Sequence, residues 1–261
     1  MVHILVFLSI LSLSIRVCCA QSISITGPAR IGMLEAETYA ISWTSSGIES
    51  VSIVAHGTRT PLGTRSRGSF NMAVTEAVPA TWESAEWTVP WIDSVTFFVK
   101  VKGYDLDGNM VAFDERGYRF RPAVLANRTE DGIYLDLHRR TNQRLYRQEN
   151  YRITHAYLSS SSENYEWRPP CNHVRRAHDH AGVFSVIEKK RSHWSILFDV
   201  EMPWAMRYHR GHFIHATSPA LYRLLGVPAS GGCNRMTNHD ARELYRLTPL
   251  GTRVEVIGPD G

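Results

Sequence analysis

The chain has 261 residues, of which 43% are hydrophobic, 10% aromatic and 21% charged, with a formal net charge of +4. That composition supplies a core and excludes wholesale disorder, at a size suited to one large or two small domains. The positive charge is mild and its lysines and arginines are scattered, which argues against nucleic acid as a partner and leaves an anionic polymer as the better match.

Ile4 to Ile15 is almost wholly apolar and leads through Arg16-Val17-Cys18-Cys19-Ala20 into the polar Gln21-Ser22. Small residues at Cys18 and Ala20, just before the polar sequence, mark a signal peptide over 1–20. The run is too short to span a bilayer comfortably. The expectation is an exported protein of the periplasm or cell wall. Cleavage lowers the charge from +4 to +3, since Arg16 is the one charged residue removed, and leaves only Cys171 and Cys233. Two cysteines are too few for a disulfide scaffold.

Residues 23–122 read as a β-sandwich. Tyr39, Ile41 and Trp43 alternate with polar or small residues, as do Val95, Phe97, Val99 and Val101. Such alternation buries one face and wets the other. Turn signals at Ser46-Gly47, Thr60-Pro61, Leu62-Gly63 and Asp107-Gly108-Asn109 separate short strands, as in an Ig-like module. Asp105-x-Asp107-Gly108-Asn109 offers calcium ligands, but Arg116 stands where an EF-hand needs glutamate, so a hairpin turn is expected. A linker follows over 121–131, with Pro122 and Asp131-Gly132. Asn127-Arg128-Thr129 within it has the glycosylation pattern, which matters only in a secreted eukaryotic protein.

A second β-rich texture occupies 132–258. Ile133 to Leu137 alternates, and so does Trp194 to Val200. Lys189-Lys190-Arg191 between strand candidates is expected as a solvated turn, and Ser159 to Ser162 as a serine-rich loop. Two short helices are expected: one opened by Ser218-Pro219 and running through Leu225, and one capped by Asn238 and running to about Leu247. Gly251 to Ile257 forms a final strand.

The chemistry-bearing residues gather late in the chain. His215 follows the apolar Phe213-Ile214, and Cys233 comes 18 positions later in Ser230-Gly231-Gly232-Cys233-Asn234-Arg235-Met236. A thiolate attacks carbonyl carbon and needs a base nearby plus amide donors for the oxyanion. His215 is a candidate base, and the amides around Gly231, Gly232 and Cys233 are candidate donors. The dipole of the following helix would favour the thiolate. On spacing alone, a buried inert cysteine remains the alternative. His173, His178, Asp179 and His180, near Cys171, suggest zinc, but no second element completes a ligand set, so exposed loop histidines are expected and no metal or other cofactor is assigned.

This segment resembles the L,D-transpeptidase catalytic domain (YkuD-like), whose signature is a histidine and then, after a gap, Ser/Thr-His-Gly-Cys. Met202-Pro203-Trp204, Gly226-x-Pro228, the Asn238 to Tyr245 helix and Gly251-Thr252-x-Val254 resemble its surroundings, and Gly182-Val183-Phe184 its Gly-x-Phe strand. Gly231 stands where that signature has a histidine. The fold expected is therefore mainly β: an Ig-like β-sandwich followed by an L,D-transpeptidase-type β-rich catalytic domain with short helices. The resemblance implies a cysteine-dependent enzyme with Cys233 as nucleophile and His215 as base. Ser230, Gly231, Gly232 and Arg235 line the substrate and oxyanion site, with Arg235 meeting a substrate carboxylate or bracing the loop. It further implies 3→3 crosslinking of peptidoglycan stem peptides with release of D-alanine, and carbapenem-type inhibitors as ligands. L,D-carboxypeptidase action on the same site and noncatalytic wall binding are the alternatives. Because Ala216 follows the base, the group that orients the imidazole has to be a backbone carbonyl or a distant side chain.

Overall fold

Alternating burial along the first eight strands places apolar side chains between two sheets. The computed structural model describes residues 20–29, 32–59, 68–138, 142–167 and 174–258, so the segment 1–19, the turns at Thr60-Pro61 and Leu62-Gly63, Cys171 and His173 lie outside the described residues. The strands are β1 (Ser22–Gly27), β2 (Gly32–Leu34), β3 (Thr38–Ser46), β4 (Ser50–Thr58), β5 (Ser69–Pro79), β6 (Ser84–Thr88), β7 (Thr96–Tyr104) and β8 (Met110–Arg121). They form one sheet of order β1-β3-β6 and another of order β2-β8-β7-β4-β5. Ile25, Ile41 and Trp43 from the first meet Val51, Ile53, Phe97, Val99 and Val101 from the second. Buried polar groups need partners, and the indole Nε1 of Trp43 donates to the Ala80 carbonyl at 3.2 Å. At the β7–β8 hairpin, Asp105 Oδ1 accepts the amides of Asp107 and Asn109 at 3.0 and 2.8 Å. This side chain closes a turn, the role expected for a hairpin.

The remaining strands are β9 (Gly132–Asp136), β10 (Arg144–Glu149), β11 (Arg152–Leu158), β12 (Tyr165–Trp167), β13 (Arg175–Ala177), β14 (Gly182–Ser185), β15 (Glu188–Ser195), β16 (Val200–His209), β17 (His212–Ala216), β18 (Asn234–Met236) and β19 (Arg253–Ile257), with helix α1 (Asn238–Leu247) before β19. One sheet runs β11-β10-β9-β19-β14 and another β15-β16-β17-β18. Ile133, Leu135, Leu145, Val254 and Val256 of the first pack against Met206, Ile214, Ala216 and Met236 of the second, with Ala241 and Leu244 of α1 closing the core. The molecule is thus mainly β with few short helices, as the sequence predicts. Between the two cores, buried Arg144 ion-pairs with Asp93 and lies over the Trp91 ring at 5.7 Å.

Several local expectations are corrected. Lys189-Lys190-Arg191 is part of β15, paired with β16. The Lys189 ammonium donates to the carbonyls of Tyr245 and Thr248 at the end of α1, where the helix presents unpaired oxygens. Lys190 ion-pairs with Glu188 at 2.8 Å. Trp194 to Val200 is not one strand: β15 ends at Ser195, Asp199 adopts φ 51°, and residues 196–199 turn the chain into β16. The cap of α1 is Thr237, whose Oγ1 accepts the Asp240 amide at 3.1 Å, and Asn238 is the first helical residue. The 218–225 helix is a 3-10 turn over Pro219–Leu224. Ser159 to Ser162 form a loop, as the sequence suggests, and all four are buried.

Candidate active site

Parallel pairing of β17 with β18 sets the geometry. Ile214 opposes Asn234, His215 opposes Arg235 and Ala216 opposes Met236. Ile214, Ala216 and Met236 enter the core, so alternation turns His215 and Arg235 to the opposite face. Cys233, two residues before Arg235, joins that face, where it packs with Phe213, Met202 and Ala205. Phe213 is itself two residues from His215. The sequence pair thus shares one face of one sheet.

His215 is buried, and its Nδ1 lies 2.7 Å from the Ala216 carbonyl. A carbonyl only accepts, so Nδ1 carries the proton and Nε2 holds the free lone pair. The orienting group is the backbone carbonyl of the neighbouring residue, one of the two options left open by Ala216. Burial lowers the imidazole to about 4, outweighing the opposing effect of that carbonyl. Cys233 is a free, half-buried thiol whose sulfur lies 3.7 Å from the Gly211 carbonyl. Burial pushes it up to about 11, against smaller lowering effects from the Phe213 backbone and Arg235. At neutral pH the resting pair is thiol and neutral imidazole. Desolvation of the sulfur is the largest influence on this thiol, and it works against the thiolate expected beside α1.

The loop carrying Cys233 hangs from the serine run. Ala229 and Ser230 amides donate to Ser161 at 3.0 and 2.9 Å, and Ser160 exchanges both backbone bonds with Arg235 at 3.0 Å. Gln143 Oε1 accepts the Ser161 amide at 3.0 Å, and Asp179 accepts that of Ser162 at 3.1 Å. Arg235 Nη1 donates to the Ala229 carbonyl at 2.6 Å, so Arg235 braces the loop. Ser230 Oγ accepts the Gly232 amide at 3.1 Å, which occupies one expected oxyanion donor. Gly232 adopts φ 121°, a conformation that favours glycine. A run of serines gave no sequence signal for this scaffold, since its role appears only through the β-bridge to Arg235.

A family model of the L,D-transpeptidase catalytic domain (YkuD) matches residues 118–256, just over half of the chain. The chain belongs to this family. Similar solved structures include the L,D-transpeptidase from Xylanimonas cellulosilytica DSM 15894, at 24% identity and TM-score 0.45 over 52% of this chain and 64% of that one. The L,D-transpeptidase from Stackebrandtia nassauensis is 19% identical, with TM-score 0.40 over 51% and 60%. An L,D-transpeptidase in complex with imipenem is 13% identical, with TM-score 0.38 over 91% and 99%. This chain therefore spans less than two thirds of the first two structures. No curated protein matches it.

The departure from the L,D-transpeptidase motif at Gly231 has a steric counterpart. A Cβ there would lie 2.5 Å from Cζ of Phe198 and 2.8 Å from its Cε1. Gly231 is not among the positive-φ glycines, so space, not backbone conformation, selects glycine. Beside the loop, His178, His180, His209 and His212 cluster, with His180 4.2, 5.0 and 4.7 Å from the other three rings. Burial first, and the neighbouring imidazoles second, lower His180 to about 4. His212 Nε2 donates to the His178 carbonyl at 3.0 Å, and a Cβ on Gly232 would lie 3.5 Å from that nitrogen. Among the described residues no group of three such side chains is arranged to hold a metal ion.

Proposed function

We propose that this L,D-transpeptidase-family chain is an exported cysteine acyltransferase that forms 3→3 crosslinks between peptidoglycan stem peptides. The observation that carries the reading is the pinning of His215 Nδ1 to the Ala216 carbonyl, which aims a free imidazole nitrogen from the face that also carries Cys233. With the thiol near 11 and the imidazole near 4, neither group is charged before reaction. His215 Nε2 therefore takes the proton as the sulfur attacks, as general-base catalysis requires.

The attacked carbon is the carbonyl preceding the terminal D-alanine of a tetrapeptide stem. The C–S bond forms, the C–N bond breaks, and His215 returns its proton to the departing D-alanine amine, leaving a thioester on Cys233. A side-chain amine on the third residue of a neighbouring stem then attacks the thioester. An amide forms, the sulfur leaves, and the amine proton passes through His215 back to sulfur. The amides of Gly232 and Cys233 stabilise the oxyanion, with Ser230 Oγ releasing the Gly232 amide as charge develops. Arg235 holds the loop. The same site with water as acceptor is an L,D-carboxypeptidase. Export to the periplasm or wall rests on the apolar run before Arg16.

A carbapenem is the natural probe, given the imipenem complex of a similar structure. Intact-protein mass spectrometry after incubation is expected to show one adduct on the wild-type protein and none on Cys233→Ala. A folded wild-type protein that stays unmodified by both carbapenem and donor peptide, yet still sediments with wall sacculi, rejects catalysis and leaves noncatalytic wall binding.

A further inference from the structure

The β15–β16 hairpin touches the nucleophile loop at two places. Met202, near the start of β16, packs in the cluster that contains Cys233. Four residues earlier, in the turn, the Phe198 ring fills the space that any side chain at position 231 would enter, its nearest carbon 2.5 Å from a built Cβ. Around it the turn is apolar and open to solvent, with Ile196 92% exposed, Trp194 56% and Leu197 42%. An exposed apolar tip on a protein surface marks a place that something covers or that covers something. This tip is anchored by its one half-buried aromatic ring to the residue two positions before Cys233.

Resting on the acyl-transfer reading above, we propose that Phe198 sets the fate of the thioester: its ring keeps water from the acyl-enzyme and so favours transfer to an amine over hydrolysis. The two fates share the first half of the reaction. With an amine, the C–S bond breaks as a C–N bond forms and the amine proton reaches sulfur through His215. With water, a C–O bond forms, a carboxylic acid is released and a water proton takes the same route. Both acceptors meet the same carbon and the same base, so what separates them is access. An apolar wall beside the catalytic loop lowers local water without hindering an incoming side chain that brings its own methylene stem.

The test measures the ratio of amide to acid product from one tetrapeptide donor at a fixed concentration of Nα-acetyl-lysine as acceptor. A ratio is independent of how much of each preparation is folded. Phe198→Ala is expected to lower the amide share several-fold, and Phe198→Leu, which keeps apolar bulk, to retain most of it. Gly231→Ala pushes the ring away from the other side of the contact and is expected to shift the ratio in the same direction as Phe198→Ala. If Phe198→Ala and Gly231→Ala both keep the wild-type ratio while forming the thioester, the inference is wrong and the acyl-transfer reading stands. If wild-type protein forms no thioester, the reading fails and takes the inference with it.

Discussion

The two halves of the molecule bury different things. Every buried residue of the described sandwich, from Ile23 to Phe120, is an apolar or aromatic side chain. From Asp136 onward the interior also encloses Gln143, Arg144, Gln148, four consecutive serines, His215, Asn234 and Thr237. Apolar burial is non-directional and tolerates repacking, whereas a buried polar group holds its partner in one place and costs free energy when that partner is lost. The sandwich is therefore built for stability, and the second half spends part of its interior on fixing the loop that carries Cys233. Mutations in the two halves should separate stability from chemistry.

The largest effect is expected at the base. His215→Ala removes the proton acceptor from a thiol that burial holds near 11. Cys233 acylation at neutral pH should slow by about 10²–10⁴-fold, the usual contribution of a positioned general base. Stopped-flow acylation by a carbapenem measures it, and a wild-type rate in this variant would remove His215 from the mechanism. The sandwich counterpart is Trp43→Ala. Trp43 is 1% exposed, so its loss should cost about 3–5 kcal/mol of unfolding free energy. The acylation rate per folded molecule should stay unchanged. A comparable fall in that rate would mean the two halves are not energetically separable, with the buried Arg144–Asp93 pair the first place to look.

Much of this division was legible in the sequence, because period-two alternation is a burial signal. Tyr39-Ile41-Trp43 and Phe97-Val99-Val101 lie where alternation puts them, whereas in β9 Tyr134 and Asp136 are buried as well as Ile133 and Leu135, because a core lies on each face of the strand. His215 and Cys233 stood out by residue type and motif. What alternation misled was the β15–β16 turn: Trp194, Ile196, Phe198 and Val200 keep period two straight through a reversal, because the tip is apolar for a reason other than burial in the core. What it never exposed was the polar scaffold. Serines carry no periodic signal, and the bonds from Ser160 to Arg235 and from Ser161 to Gln143 join residues far apart in sequence. The direction of the Cys233 shift was also hidden, since it depends on how far the sulfur is desolvated and not on which residues adjoin it.

The contrast sharpens with pH. The described sandwich buries no histidine, while His215 sits near 4 in the folded state against 6.5 for a free imidazole. Between those values the unfolded chain takes up the proton and the folded chain does not. The contribution of His215 is therefore complete above about 6.5 and is lost as pH falls through 4, by roughly 3 kcal/mol at most. Urea midpoints should drop from pH 7 to pH 4, and His215→Gln should flatten part of that drop. His180 and His209, which burial lowers in the same direction, add to that drop. An unchanged slope in His215→Gln would place the acid sensitivity elsewhere.

The smallest effect on stability tests the polar scaffold itself. Gln143 is 1% exposed, accepts the Ser161 amide at 3.0 Å and donates to the Leu137 carbonyl at 3.4 Å. Gln143→Leu keeps the volume but leaves the Ser161 amide without its acceptor, at about 1–3 kcal/mol. Ser161 in turn carries the Ala229 and Ser230 amides through its carbonyl, so the disturbance runs directly to the nucleophile loop. Acylation should therefore slow more in Gln143→Leu than in Trp43→Ala, although the tryptophan variant loses more stability. Measured together, the two variants order the halves by what they hold in place. The reverse ordering of acylation rates would mean the buried polar network supports the fold alone and does not position Cys233.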